Sequence, residues 1–154
     1  MFGRLIKNSW LQIWLIGIVT ILSYSNTLHN EFIADDYAFI TDWPLIQDVR
    51  NFPRFFGEQS QPKGEEGVYS PLKTCLHALN YHLFGLNPFG YHCVAIVFHL
   101  LGTGVCYLIV QQLFASNRLA FMTTILFALH PVHVEAITFL TASVDTAGVV
   151  MMMI

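Results

Sequence analysis

Three stretches of this chain hold residues whose types and spacing suit acid–base or anion chemistry. In Phe32-Ile33-Ala34-Asp35-Asp36-Tyr37, two carboxylates stand side by side just after a long apolar run. Repulsion between neighbouring carboxylates at a low-dielectric boundary favours proton uptake by one of them. A carboxylate of that kind suits a general base that takes a hydroxyl proton near neutral pH. Adjacent side chains point in different directions, so one acid is expected in a site and the other in a structural role. A helix N-cap or a solvated turn is the competing reading, since Asp is favoured in both.

The second stretch is His130-Pro131-Val132-His133-Val134-Glu135, with Asp145 ten residues on. On a helix starting at Leu119, Glu135 lies roughly 24 Å along, close to the far edge of a bilayer core about 30 Å thick. Ionisable groups there are expensive and are functional candidates by default. His130 and His133 can share a helix face, but Glu135 falls roughly 140° from His130 and Pro131 disturbs the turn. A hydrogen-bonded cluster or the lining of a polar cavity is therefore expected, and no metal site. The third stretch, Val68-Tyr69-Ser70-Pro71-Leu72-Lys73, reads as a helix start with Ser70 as N-cap and Pro71 at the first helical position. Lys73 in that first turn adds positive charge near an anion held at the helix terminus, with simple capping as the alternative. His29, His77, His82, His92 and His99 are scattered and are expected as satisfied packing or interface histidines. Cys75, Cys93 and Cys106 are irregularly spaced, fit neither a disulfide framework nor a zinc site, and read as packing residues.

The elements that must position these groups follow from composition. Of 154 residues, 55% are hydrophobic and 11% charged, where a soluble chain carries roughly 25% charged residues. That is too little charge to cover a soluble surface, so a membrane is expected as the apolar solvent. The net charge of −3 says little by itself, but no basic tract points to nucleic acid, and no nucleic-acid partner is expected. Trp10 to Leu28 is an uncharged, largely apolar run preceded by Arg4 and Lys7. A cleaved signal peptide competes here, but the run exceeds a signal h-region of roughly 7–15 residues and no A-x-A-like site follows. A retained first span is the reading.

The expected organisation is an all-α membrane protein. Residues 1–9 form a cytoplasmic start and 10–28 the first span. Residues 29–90 form an acidic outer loop with amphipathic interfacial helices at about 44–56 and 71–84 flanking the polar loop 57–67. The second helix carries Leu72, Cys75, Leu76, Leu79 and Leu83 along one stripe; two core helices of a small extramembrane domain are the alternative. Residues 91–114 make the second span, where Gly102 and Gly104 would allow close helix packing. A cytoplasmic turn at 115–118, a third span at 119–140, an outer turn at 141–145 and the start of a fourth span at 146–154 complete the chain. The basic residues Arg4, Lys7 and Arg118 fall on one side, which is therefore cytoplasmic. The apolar, uncapped end from Ala147 to Ile154 reads as an N-terminal piece cut within a helix.

Taken together, F-x-x-D-D after the first span, the outer loop with two interfacial helices, Y-x-P-L and H-P-x-H-x-E resemble the GT-C membrane glycosyltransferases. Within these the chain is most similar to the transmembrane and TPR repeat-containing, O-mannosyltransferase-like branch, over roughly Trp10 to Ile154. The resemblance implies a GT-C multi-pass helical bundle and inverting transfer of a sugar from a polyprenyl- or dolichyl-phosphate carrier to a protein or glycan acceptor. The reaction would occur outside the cytoplasm, at a bacterial inner membrane or the endoplasmic reticulum membrane. No permanently bound cofactor and no metal dependence are expected. By the same resemblance Asp35 is the catalytic base, Asp36 supports it, and Tyr69, Lys73, His130, His133, Glu135 and Asp145 contribute to the donor cavity. Ser70 stands where the family's Y-R-P-L carries arginine, and Ser143 where its G-R-x-D does. A non-catalytic membrane scaffold and a transporter whose buried acids relay protons are the rival readings.

Overall fold

The computed structural model describes residues 9–57 and 70–153, and Tyr69 lies outside them. Among the described residues the chain is helix and turn throughout. Helix α1, Ser9–Tyr24, continues into a 3₁₀ helix, Ser25–His29. After an extended corner come a π turn, Tyr37–Thr41, and helix α2, Pro44–Gln47, followed by a second 3₁₀ helix, Val49–Phe56. Helices α3 (Pro71–Phe84), α4 (Pro88–Phe114), α5 (Asn117–Ala128), α6 (His133–Thr138) and α7 (Leu140–Met153) follow.

Helix α4 and α1 with its 3₁₀ extension are long and apolar enough to cross a membrane. Their faces are inside out relative to a water-soluble helix. Trp10, Trp14, Ile18 and Leu22 of α1 and Val97, Leu101, Leu108 and Leu113 of α4 are exposed, while Gln12, Thr20, His92, His99 and Thr103 are buried. Polar groups turned inward find partners there. Tyr107 Oη donates to Gln12 Oε1 at 2.6 Å, and Thr20 and Thr103 donate to carbonyls one turn back. Such an arrangement is unfavourable in water and favourable in lipid, where only internal partners exist.

Three expectations about helix boundaries are not met. A single helix over 119–140 does not form: α5 ends at Ala128 after 12 residues. Pro131 lacks an N–H and turns its predecessor away from helical geometry. The chain passes through a turn in which His133 N and Val134 N donate to His130 O and Pro131 O. The turn expected at 141–145 is instead the first part of α7, which starts at Leu140. Likewise, 44–56 is not one helix. Asp48 is extended, its carboxylate accepts from Arg50 N at 2.9 Å, and Pro53 denies the following segment regular α bonding.

Helix α3 places Leu72, Leu79 and Leu83 outside, while Thr74, His77, Ala78 and Asn80 face inward. Its inner face closes an aromatic core of Phe32, Phe39, Ile40, Trp43, Ile46, Phe55, Tyr91 and Leu140. This core joins the corner after α1 to the start of α7. Gly104 does not mediate close packing, because a Cβ there would meet nothing within 4 Å. With Gly17 it lines an open apolar cleft of about 320 Å³ between α1 and α4.

Candidate functional site

The acidic pair sits on the corner that links the first long helix to the aromatic core. Ala34 adopts φ 46°, in the left-handed region that side chains rarely occupy. Asp36 N donates to Ile33 O at 2.9 Å and Tyr37 N to Ala34 O at 3.3 Å, closing a tight turn. Within it the two carboxylates are treated differently. Asp35 is exposed to solvent, whereas Asp36 is 0% exposed. Asp36 Oδ1 accepts from Thr141 N at 2.9 Å and from Thr141 Oγ1 at 2.7 Å, and its Oδ2 accepts from Ile33 N at 3.1 Å.

The Thr141 amide is one of the N-terminal donors of α7 that lack an intrahelical partner. Asp36 therefore caps a helix remote in sequence, and its negative charge meets the positive end of that helix dipole. Burying a carboxylate is tolerable only when its oxygens are bonded in this way.

Lys73 reaches the same region from the first turn of α3. Its Nζ lies 3.4 Å from Asp145 Oδ2 and 5.3 Å from the centre of the Phe39 ring. The lysine is largely covered and Asp145 is largely exposed. Ser70 occupies the N-cap position, its carbonyl accepting from Thr74 N at 3.2 Å. Ser143 is buried and donates to Leu140 O at 2.7 Å. Asp35, Asp36, Lys73 and Asp145 thus belong to the connected assembly of the corner, α3 and the first turns of α7.

His130 and His133 form a separate group at the break between α5 and α6. His130 Nδ1 accepts from Val132 N at 3.2 Å, steadying the turn around Pro131. His133 packs with Phe127 and His99 at ring separations of 4.5 and 5.1 Å, and His99 Nε2 contacts Ala128 O at 3.0 Å. Glu135 is exposed on α6. Among the described residues no group of three or more His, Cys, Asp or Glu is placed to hold a metal ion. The apolar cleft lies along Trp10 to Ile21 of α1, away from the acidic corner beyond that helix's far end.

One participant escaped the sequence reading. Thr141 carries no ionisable group, and its pairing with Asp36 spans 105 residues. His77 and His92 are buried, and among the described residues their ring nitrogens make no hydrogen bond of normal geometry, where satisfied histidines were expected. His92 faces the main chain of Asn30 and Ile137, close to the Asp36 carboxylate, without reaching normal bond geometry. Burial, with Lys73 nearby, holds His77 down to a pKa of about 3.

No family profile matches the chain, and no solved structure matches it. Curated proteins do. The chain is 33% identical over 135 residues to protein O-mannosyl-transferase F38B6.6 of Caenorhabditis elegans, covering 82% of this chain and 20% of that protein. It is 32% identical over 138 residues to protein O-mannosyl-transferase TMTC1 of Homo sapiens, covering 85% and 16% respectively. Against human TMTC3 it is 34% identical over 131 residues, covering 80% and 14%. The chain thus spans a fifth or less of the length of these relatives.

Proposed function

We propose, for this relative of the TMTC protein O-mannosyl-transferases, that it forms part of a GT-C-type multi-pass membrane glycosyltransferase. The donor is a polyprenyl- or dolichyl-phosphate sugar, with mannose favoured by the names of the relatives. The acceptor is a hydroxyl on a protein or glycan at the outer face of the membrane.

The observation that carries the reading is the unequal environment of the acidic pair. Asp35 is presented to solvent on a corner whose other carboxylate, Asp36, is locked inside. Asp35 accepts the proton of the acceptor hydroxyl as that oxygen attacks the anomeric carbon. A new C–O bond forms, the bond from that carbon to the phosphate oxygen breaks with inversion, and the lipid phosphate leaves with the electron pair. A base so placed is worth roughly 10²–10⁴-fold in rate.

Lys73 supplies positive charge beside Asp145 for the donor phosphate, and the family resemblance adds Tyr69, His130, His133 and Glu135 to donor binding, the two histidines from their separate group at the α5–α6 break. The corner and the exposed leucines of α3 lie at the outer interface, with the N-terminus and Arg118 cytoplasmic. A scaffold reading draws on Ser70 and Ser143, which leave those two positions without a phosphate-binding guanidinium.

The test is Asp35→Asn in the full-length protein, assayed for mannose transfer from dolichyl-phosphate mannose in reconstituted membranes. Loss of at least about 100-fold is expected. Transfer at the parent rate would remove Asp35 as the base and favour the scaffold.

A further inference from the structure

We propose that Thr141 is a positioning residue for Asp35, acting through Asp36; this rests on the reading of Asp35 as the base. The main chain around Asp35 is fixed from both sides. On one side Ala34 holds a left-handed conformation with φ 46°. On the other, Asp36 is fully buried, and the bonds from Thr141 N and Oγ1 both fall on Oδ1. Oδ2 turns back to Ile33 N and closes the loop on itself.

The Thr141 hydroxyl is the one side-chain donor on the Asp36 carboxylate among the described residues. Its loss leaves each carboxylate oxygen with a single main-chain donor, Thr141 N on Oδ1 and Ile33 N on Oδ2, and loosens the hold on the corner. The backbone of Ala34 and Asp35 then exchanges its strained, outward-presenting form for more relaxed ones. A base displaced by about 1 Å costs on the order of 100-fold in rate, and a corner that samples the correct position part of the time costs less. Thr141 touches neither sugar nor acceptor in this arrangement, so its effect passes entirely through the Asp36 carboxylate.

The experiment uses full-length protein carrying Thr141→Val, which keeps shape and main-chain donor but loses the hydroxyl, and Thr141→Ser, which restores it. Transfer from dolichyl-phosphate mannose is expected to show kcat lowered about tenfold for the Val variant with KM within about twofold. The Ser variant is expected to recover the parent kcat. In parallel, Asp35→Cys is labelled with a membrane-impermeant maleimide, with and without Thr141→Val, against the parent as background for the native cysteines. A labelling rate of the introduced thiol that changes at least about threefold on removing the hydroxyl reports the corner's mobility independently of turnover.

Parent-like kcat for the Val variant, or failure of the Ser variant to restore it, overturns the proposal. Should Asp35→Asn prove active, the reading of the base fails, and labelling alone decides whether Thr141 fixes the corner. If Thr141→Val does not accumulate, Thr141→Cys replaces it with a near-isosteric weak donor. An intermediate kcat is then expected, and a parent-like value again overturns the proposal.

Discussion

Asp36 Oδ1 accepts hydrogen bonds from both the main-chain N–H and the side-chain O–H of Thr141, at 2.9 and 2.7 Å, across 105 residues of sequence. One buried charge thereby ties the corner after α1 to the amino end of α7. The neighbouring acid, Asp35, makes no comparable commitment and faces solvent.

The two acids should separate in stability as they do in position. Hydrogen bonds to a charged group contribute roughly 1.5–3 kcal/mol each, with partial overlap when they share one carboxylate. Asp36→Ala is expected to destabilise the protein by roughly 2–4 kcal/mol, leaving donors of Thr141 and Ile33 unpaired. Asp35→Asn should remain within roughly 0.5 kcal/mol of the parent. Thermal unfolding of the detergent-solubilised proteins distinguishes them; equal losses would contradict the buried–exposed assignment.

His77 makes stability depend on acid. Its pKa falls from 6.5 in the unfolded chain to about 3 in the folded one, because burial disfavours the imidazolium and Lys73 repels it. Between these values the unfolded state binds the extra proton, so stability falls as pH drops below about 6.5 and the penalty is complete near pH 3. At pH 5 the cost is on the order of 2 kcal/mol. His77→Leu should flatten the loss of melting temperature between pH 7 and pH 5. An unchanged slope would place the titrating group elsewhere.

Gly90, in the first turn of α4, meets Phe84 so closely that a Cβ would overlap the ring and its own Cβ. Phe84 lies 6.2 Å, centre to centre, from Tyr91, whose hydroxyl donates to Gly85 O at 2.9 Å. Gly90→Ala must therefore move the end of α3 relative to α4, at roughly 1–3 kcal/mol. Gly104→Ala, with nothing within 4 Å, is the matched control and should be near neutral or slightly stabilising. Comparable melting shifts for the two would refute the steric account.

The Lys73–Asp145 pair joins α3 to α7 at 3.4 Å, but Asp145 is largely exposed. A double-mutant cycle with Lys73→Ala and Asp145→Ala should return a coupling below about 1 kcal/mol. Lys73→Ala alone should weaken donor binding in the full-length protein more than Asp145→Ala, since only lysine attracts phosphate. Equal effects on KM for dolichyl-phosphate mannose would mean that the pair acts only as a tie.

What the sequence determined by itself was the chemistry available and most of the helices. Low charge and long apolar runs required helices whose backbone groups are satisfied internally, and α1, α3 and α4 follow from Trp10–Leu28, Ser70–Pro71 and the apolar run Tyr91–Phe114, although α4 starts three residues earlier, at Pro88. The order of F-x-x-D-D, Y-x-P-L and H-P-x-H-x-E was sufficient to indicate the O-mannosyl-transferase relationship, which the relatives show. Which acid is buried was undecided, because neighbouring carboxylates are equivalent until a partner arrives. Thr141 supplied that partner, and an interaction between a corner and a helix start over a hundred residues away leaves no periodic signal. The break after Ala128 was legible in principle at Pro131, yet the apolar run masked it. Tertiary packing also turned the leucine stripe of α3 outward and left His77 inside with no hydrogen-bond partner among the described residues, since which face is covered depends on the aromatic core that α3 closes.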